Sequence, residues 1–346
     1  MSDNRVYPKT MQAVFLEKPG GPLVVKEVKI PEPGPGEVLI KMSAAPVNPS
    51  DLAQIRNADK DYDLATFIPG LEGSGTVVAA GKGILPRLWM GKRVACSIEY
   101  HTSGTWAQYM VTKAGNCFPL GGKVSDEQGS MSLVNPLTAL AFLEMAKRDK
   151  HRAIINNAAA SALGRMVELL GNKHRIPVIN IVRNQKQVES LRQLGSKYVL
   201  DSSDPFFIKD LGAIAQDLSA TLLFDSVCSR QLEEMCDVLP SGSAVIIYGN
   251  LSGEEQIMFK PRTLIANNIK ISGFYLGGRA KEYGILKNMM NIRQVSALMS
   301  SDMKITIQCR FPLSDVQLAV DTYLANMSAG KVLLVPGQFT YNKKNP

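Results

Sequence analysis

Apolar and polar positions follow two different rhythms along the 346-residue chain. Through the first 125 residues the apolar runs are short, either alternating or continuous: "MQAVFL", "EVLIKM", "GSGTVVAAG", "KRVACSI" and "WAQYMVT". Turn formers such as "KPGGP", "PEPGPGE" and "FIPG" separate them. Short strands punctuated by glycine and proline predict a twisted, mostly β domain with barrel-like character.

Near residue 130 the period changes. "NPLTALAFLEMAKR" has helical spacing and carries Pro136 early, where a missing N–H is tolerated. Strand and helix patterns then alternate. "AIIN" leads to "LGRMVELLGNK", "PVINIVR" to "KQVESLRQLG", and "KYVLDS" to "FFIKDLGAIAQDL". "ATLLFDSV" leads to "SRQLEEMCDVL", and "SAVIIYG" closes the series. Apolar strands alternating with helices of this length predict a parallel sheet covered on both faces. From about residue 269 the chain returns to strand ("IKISGFYL"), then a long helix and a final "KVLLV" strand. The expected fold class is α/β, with a β-rich domain over 1–128, a doubly wound domain over 129–272 and a return segment over 273–346. There is no internal repeat or low-complexity tract.

Composition adds bounds to this picture. Hydrophobic residues make up 45% and charged residues 20%, as in a globular chain able to fill two cores. No apolar stretch nears the roughly 18–20 residues of a membrane span. The opening "MSDNRVYPKT" has neither a signal peptide's apolar run nor an arginine-rich targeting helix. A cytoplasmic address is expected, or a mitochondrial one if a presequence has been removed. The net charge of +8 is scattered apart from "KRDKHR" and "NKK", and aromatic residues do not interleave with it. That pattern argues against a nucleic-acid partner and leaves a basic surface for phosphorylated ligands. The five cysteines are odd in number with no C-x-x-C spacing, which points to free thiols in a reducing compartment. His101, His151 and His174 lack metal-ligand spacing, so no metal site is expected.

The candidate chemistry lies in "NNAAASALG", between the first doubly wound strand and its helix. A dinucleotide fold needs small residues there, so that backbone and helix N-terminus can approach a pyrophosphate. Counting back from Gly164, the other fingerprint positions are Ala159 and Ser161, both small. An ordinary tight strand-to-helix turn would look similar. The second strand adds Arg183, nineteen residues beyond Gly164, with Asn184 and Lys186 and no acid. An acid there would favour NADH; a guanidinium suits a 2′-phosphate, and NADPH is the expected cofactor.

"AAPVNPSDLAQI", "IPGLEGSGTVVAAG", "GTWAQYMV", "VNPLTAL", "VINIVR" and "ISGFYLGGR" occur in the order found in one family. The chain resembles the zinc-independent medium-chain dehydrogenases/reductases, in their quinone oxidoreductase and enoyl thioester reductase branch. The resemblance covers almost the whole chain and implies a GroES-like β-rich catalytic domain joined to a Rossmann domain. It also accounts for the turn, because such reductases carry an Asn-Ala-Ser-Asn-Ser-Gly-Val-Gly-like stretch there. Asn157, Ala159, Ser161 and Gly164 fall on matching positions. Ala162 departs from the family's glycine, and its methyl group either crowds the phosphate or shifts the turn slightly. Zinc-dependent relatives have a ligand cysteine where this chain reads "VNPSDL" and a ligand histidine where it has Leu71, so no metal is implied here.

By that resemblance, Asn48 faces the nicotinamide and is a catalytic candidate, and Thr138 reaches the cofactor. Tyr248 and Gly249 border the crevice, while Phe274, Tyr275 and Leu276 line the nicotinamide pocket. Lys331 pairs with phosphate. Tyr62 is the proton-donor candidate, although it comes three residues late in its segment; Tyr100 and Tyr109 are weaker candidates, and Tyr109 reads as packing. The expected activity is NADPH-dependent reduction of an enoyl thioester, enone or quinone, by a homodimer acting on a small-molecule or acyl-thioester substrate. The alternative is a catalytically weak member kept as a binding or scaffold subunit.

Overall fold

The computed structural model describes residues 7–58, 63–98, 104–301 and 303–337. The chain forms two compact units, Met1–Val134 with Ile292–Pro346, and Asn135–Asn291. The breaks thus fall at 134/135 and 291/292, where the sequence rhythm alone suggested 128/129 and 272/273. The stretch 273–291 groups with the doubly wound unit.

The first unit opens with β1 (Thr10–Leu16) and β2 (Leu23–Lys29), an antiparallel pair. Five more strands follow: β3 (Glu37–Pro46), β4 (Glu72–Ala80), β5 (Arg93–Ser97), β6 (Tyr109–Lys113) and β7 (Cys117–Pro119). β3 is the central strand and is buried on both faces. Val38, Ile40 and Met42 pack with Val77, Val94 and Met110, while Leu39 on the opposite face joins Phe15, Ile68 and Ala107. That is the period-2 division a pleated strand imposes. Gly75 is required where β3 and β4 shift register, since a Cβ there would stand 2.1 Å from the Lys41 carbonyl.

The second unit is a six-stranded, all-parallel sheet. Its strands are β8 (Ile154–Asn156), β9 (Val178–Val182), β10 (Tyr198–Asp201), β11 (Leu222–Asp225), β12 (Ala244–Ile247) and β13 (Lys270–Gly273), in spatial order β10-β9-β8-β11-β12-β13. β8, β9 and β11 are buried at every residue, as strands covered on both faces must be. The helix Ala162–Lys173 explains the covering: Leu163, Met166, Val167 and Leu170 recur at helical spacing and are buried. Strand order reverses between β8 and β11, the switch point where open α/β sheets hold ligands.

The return segment differs from its sequence reading in two ways. The long helix Leu276–Ser301 is interrupted at Gly284 (φ 68°, ψ 178°), a conformation glycine adopts freely. A further strand, β14 (Ile307–Phe311), pairs parallel with β15 (Lys331–Leu334), and β15 pairs antiparallel with β3. The larger sheet of the first unit therefore runs β14-β15-β3-β4-β5-β7, with β6 on β3. Among the described residues, no helix is long and apolar enough to cross a membrane.

Candidate active site

At the carboxyl end of β8 the chain turns through Asn157–Ser161 into the helix Ala162–Lys173. Ala158 adopts φ 53°, a left-handed conformation that strains a side-chain-bearing residue by about 1–2 kcal/mol. Hydrogen bonds hold it there. The Ala158 amide donates to Asn157 Oδ1 (2.8 Å), and the Ala159 amide donates to the Ile181 carbonyl of β9 (3.0 Å). Ser161 caps the helix, its Oγ accepting from the Gly164 amide at 3.0 Å. Helix geometry leaves the N–H groups of Ala162 and Leu163 without intrahelical acceptors. Gly164 is needed because a Cβ there would meet the Ala159 carbonyl oxygen at 2.5 Å. Ala162 is the first residue of the helix and is half-exposed.

The turn is tied down from beneath by residues the sequence reading did not single out. Asp225, fully buried at the end of β11, accepts from Asn157 Nδ2 at 2.5 Å and from the Cys228 amide at 2.6 Å. Burial pushes its carboxyl above the usual range, against the pull of those donors. Cys228, like Ala158, has a left-handed backbone (φ 57°). One carboxylate thus pins two strained turns, at the ends of the two strands flanking the switch point. Beneath the helix, Asn156 donates to the Gly164 carbonyl and to Asn180 Oδ1, each at 3.0 Å. Asn180 in turn donates to Glu168 at 2.7 Å. This buried polar chain fixes the helix start against β8 and β9.

At the end of β9, paired in parallel with β8, Arg183, Asn184 and Lys186 are all exposed. Asn184 caps the helix Gln185–Gln193 by accepting from the Gln187 amide at 3.0 Å, and Gln187 Oε1 accepts from the Arg183 amide at 3.1 Å. Two cationic side chains therefore lie on a rigidly capped strand end beside the small-residue turn.

A third cluster sits at the ends of β12 and β13. Phe142, fully buried on the helix Val134–Arg148, stacks on Phe224 (3.8 Å between centroids). It also meets Tyr248 and Phe274 edge-on at 5.0 and 5.1 Å. Two expected pocket residues are thus brought together by a phenylalanine that only helical periodicity could have flagged. Burial pushes the Tyr248 hydroxyl up to about 12. Gly249 allows close approach, since a Cβ there would stand 3.1 Å from the Ser226 carbonyl oxygen. Tyr275 is exposed, Leu276 half-buried and Thr138 buried.

In the first unit, Asn48 is buried and engaged at both ends of its amide. Its Nδ2 donates to Glu72 Oε1 at 3.1 Å, and its Oδ1 accepts from the Lys331 ammonium. Glu72 Oε2 accepts from the Leu133 and Val134 amides, both at 3.0 Å. Asp51 accepts from the Asn48 amide at 2.7 Å and the Leu71 amide at 2.9 Å. All four polar side chains are at most 2% exposed. Burial raises the Glu72 carboxyl and lowers the Lys331 ammonium, and it lifts Asp51 to about 7. Lys331, expected on a phosphate, thus has buried carboxylates and Asn48 as its partners, because β15 runs beside the end of β3 that leads into Asn48. The network joins the same two segments, around 48–51 and 71–72, whose counterparts carry metal ligands in zinc-dependent relatives. Among the described residues no group of three His, Cys, Asp or Glu is gathered to hold a metal ion. Tyr62 and Tyr100 lie outside the described residues; Tyr109 is buried and packs on Tyr7.

Comparison with known proteins agrees with both units. Residues 34–122 match the family model described as the alcohol dehydrogenase GroES-like domain, and residues 153–291 match that of the zinc-binding dehydrogenases. The mitochondrial enoyl-[acyl-carrier-protein] reductase of Caenorhabditis elegans is 28% identical over 292 residues, covering 78% of this chain and 80% of that protein. The Xenopus tropicalis protein of the same name is 29% identical over 287 residues, covering 78% and 79%. Among solved structures, a Mesorhizobium loti protein assigned as an NADPH:quinone reductase superposes with a TM-score of 0.88 at 28% identity, over 96% of this chain and 100% of that one. The chain belongs to the medium-chain dehydrogenase/reductase superfamily, in its quinone oxidoreductase and enoyl reductase branch, and is an oxidoreductase of that type.

Proposed function

We propose that the chain is an NADPH-dependent, zinc-independent reductase of an activated double bond, in an enoyl thioester or enone, or of a quinone. One observation carries the reading. A small-residue turn and a helix N-terminus stand at the switch point, beside a capped strand end bearing Arg183 and Lys186 and no acid. The nicotinamide supplies hydride to the electron-poor carbon when bound. The residues of this chain do the rest. The N–H groups of the turn and helix start, with Ser161, bind the pyrophosphate, and Arg183 with Lys186 neutralises the 2′-phosphate. Tyr248 and Phe274, held edge-on by Phe142, form an apolar wall for the nicotinamide. Asn48 is held in one orientation by Glu72 and Lys331 and borders the reacting centre, while Tyr62 is the proton donor. Zinc independence is supported by Leu71 and by the Lys331 ammonium beside Asn48, which leave an ionic network where relatives place ligands. The names of the relatives, enoyl reductases and a quinone reductase, support the two acceptor classes. The enzyme acts as a homodimer in a reducing compartment, the cytoplasm or the mitochondrion.

Titration with NADPH and NADH, followed by nicotinamide fluorescence, tests this reading. Crotonyl thioester or a small quinone is then added while cofactor oxidation is monitored. Saturable NADPH binding and turnover on one acceptor class are expected. Arg183→Glu should weaken NADPH about tenfold or more while sparing NADH. Absence of NADPH binding at millimolar concentration would sink the proposal.

A further inference from the structure

The connection from β4 to β5 carries a short helix, Ile84–Trp89, whose outer side is apolar. Ile84, Leu85, Leu88 and the following Met90 are exposed by 82%, 42%, 55% and 46%. Ile84 and Leu88 are one helical turn apart and share a face. Single exposed hydrophobic residues are ordinary, but four within seven residues form a patch. The segment beneath them is anchored. Pro86 is buried, Trp89 Nε1 donates to the Ala114 carbonyl at 2.9 Å, and the Gly91 amide donates to the Val77 carbonyl at 3.0 Å.

The charged residues carried by this segment are all basic. No aspartate or glutamate occurs from Gly73 to Ile98. Lys82, Arg87 and Lys92 are exposed, and the Lys92 ammonium stands 5.2 Å from the Trp89 ring centroid. Arg93 is set apart, because it pairs with Asp126 at 2.7 Å. Glu37, next to the turn that bonds the Lys82 carbonyl, has its carboxylate engaged by the Gly34 amide at 2.8 Å.

We infer that this segment is a lipid-surface contact: Ile84 and Leu88 enter the acyl boundary of an anionic bilayer, and Lys82, Arg87 and Lys92 meet its headgroups. Both halves of the patch are satisfied together by such a surface. A second copy of the chain would cover the apolar side chains but set three cations against three. An acidic protein would need an apolar pocket in addition to its charge. Near an anionic surface each basic side chain strengthens binding about fivefold. Each leucine-sized side chain withdrawn from water adds about tenfold or more. The inference rests on the first unit's surface alone and does not depend on the proposed reaction.

Flotation of the full chain with phosphatidylcholine vesicles, and with phosphatidylcholine–phosphatidylglycerol vesicles, tests it. The protein should float with the mixed vesicles only, and added salt should weaken the association. Ile84→Ser with Leu88→Ser, and separately Lys82→Glu with Arg87→Glu, should each reduce the bound fraction about tenfold or more. Unchanged melting temperatures would show that both variants fold. Failure to bind mixed vesicles, equal binding to both lipids, or variants that bind like the parent would overturn the inference. So would an apolar variant that converts a dimer to a monomer in sedimentation velocity, since the patch would then join two copies. Loss of an acidic protein partner in the same variants, without any vesicle binding, would likewise assign the patch to that protein.

Discussion

Each unit buries carboxylates in its polar centre, and the two centres handle the charge differently. In the first unit Glu72 and Asp51 share a buried cation, Lys331, and receive backbone amides as well. In the second unit the donors to Asp225 among the described residues are neutral amides, the side chain of Asn157 and the backbones of Val227 and Cys228. A buried carboxylate with a matching cation contributes attraction but makes each partner hostage to the other. One held only by neutral donors is a weaker anchor, yet removing any single donor leaves no uncompensated cation behind. The first arrangement suits a junction that must hold two chain segments together. The second suits a turn that must keep a strained shape.

The sharpest way to break this comparison is Lys331→Met. It removes the buried cation beside Glu72 and Asp51 and should lower the unfolding free energy by about 3–5 kcal/mol, measured by urea denaturation. A loss of under about 1 kcal/mol would mean that the cation adds little to the backbone donors.

A somewhat smaller effect should appear with pH. The folded-state value of Asp51, about 7, lies above its ordinary value of 3.8, so the folded chain holds this proton more tightly than the unfolded one. The stabilisation is complete below the ordinary value and is lost as pH rises through about 7. The melting temperature should therefore fall across that window, through a contribution of up to about 4 kcal/mol. Asp51→Asn should flatten this slope, and an unchanged slope would assign it to other groups.

Asp225→Asn should cost about 1–3 kcal/mol, because its new amide must face a donor. It should weaken dinucleotide binding while leaving the Asp51-dependent pH slope intact, which calorimetric titration and melting curves would read separately. The smallest change is a gain. Ala158→Gly relieves a left-handed alanine and should stabilise the fold by about 0.5–1 kcal/mol in the same denaturation assay.

The doubly wound unit was largely legible in the sequence, because its strands are continuous apolar runs and its helices keep a strict stripe. β14 was not, since its alternation of Ile307, Cys309 and Phe311 with Gln308 and Arg310 spans only five residues and follows a long helix. The turn was readable from Asn157, Ser161 and Gly164, but its anchor was not. Asp225 looks like the polar end of the apolar run "LLFD", and nothing local shows that its carboxylate reaches back to Asn157. Phe142 was hidden for a similar reason, being one apolar residue among many on its helix. The partners of Lys331 were beyond any local pattern, because 283 residues separate it from Asn48. Resemblance suggested a phosphate for that lysine, whereas the buried network shows how a contact between distant strands can take a side chain before any ligand does.

That separation has a consequence for synthesis. Glu72 and Asp51 leave the ribosome long before Lys331, with the whole of the second unit made in between. The first unit cannot close its central sheet until β15 is available to pair with β3, nor can it neutralise its buried carboxylates before then. The second unit is contiguous and needs nothing from the carboxyl-terminal segment to complete its own sheet. The contiguous second unit can therefore complete its sheet during synthesis, whereas the β3 edge and the buried carboxylates of the first unit gain their partners only once β15 has been made.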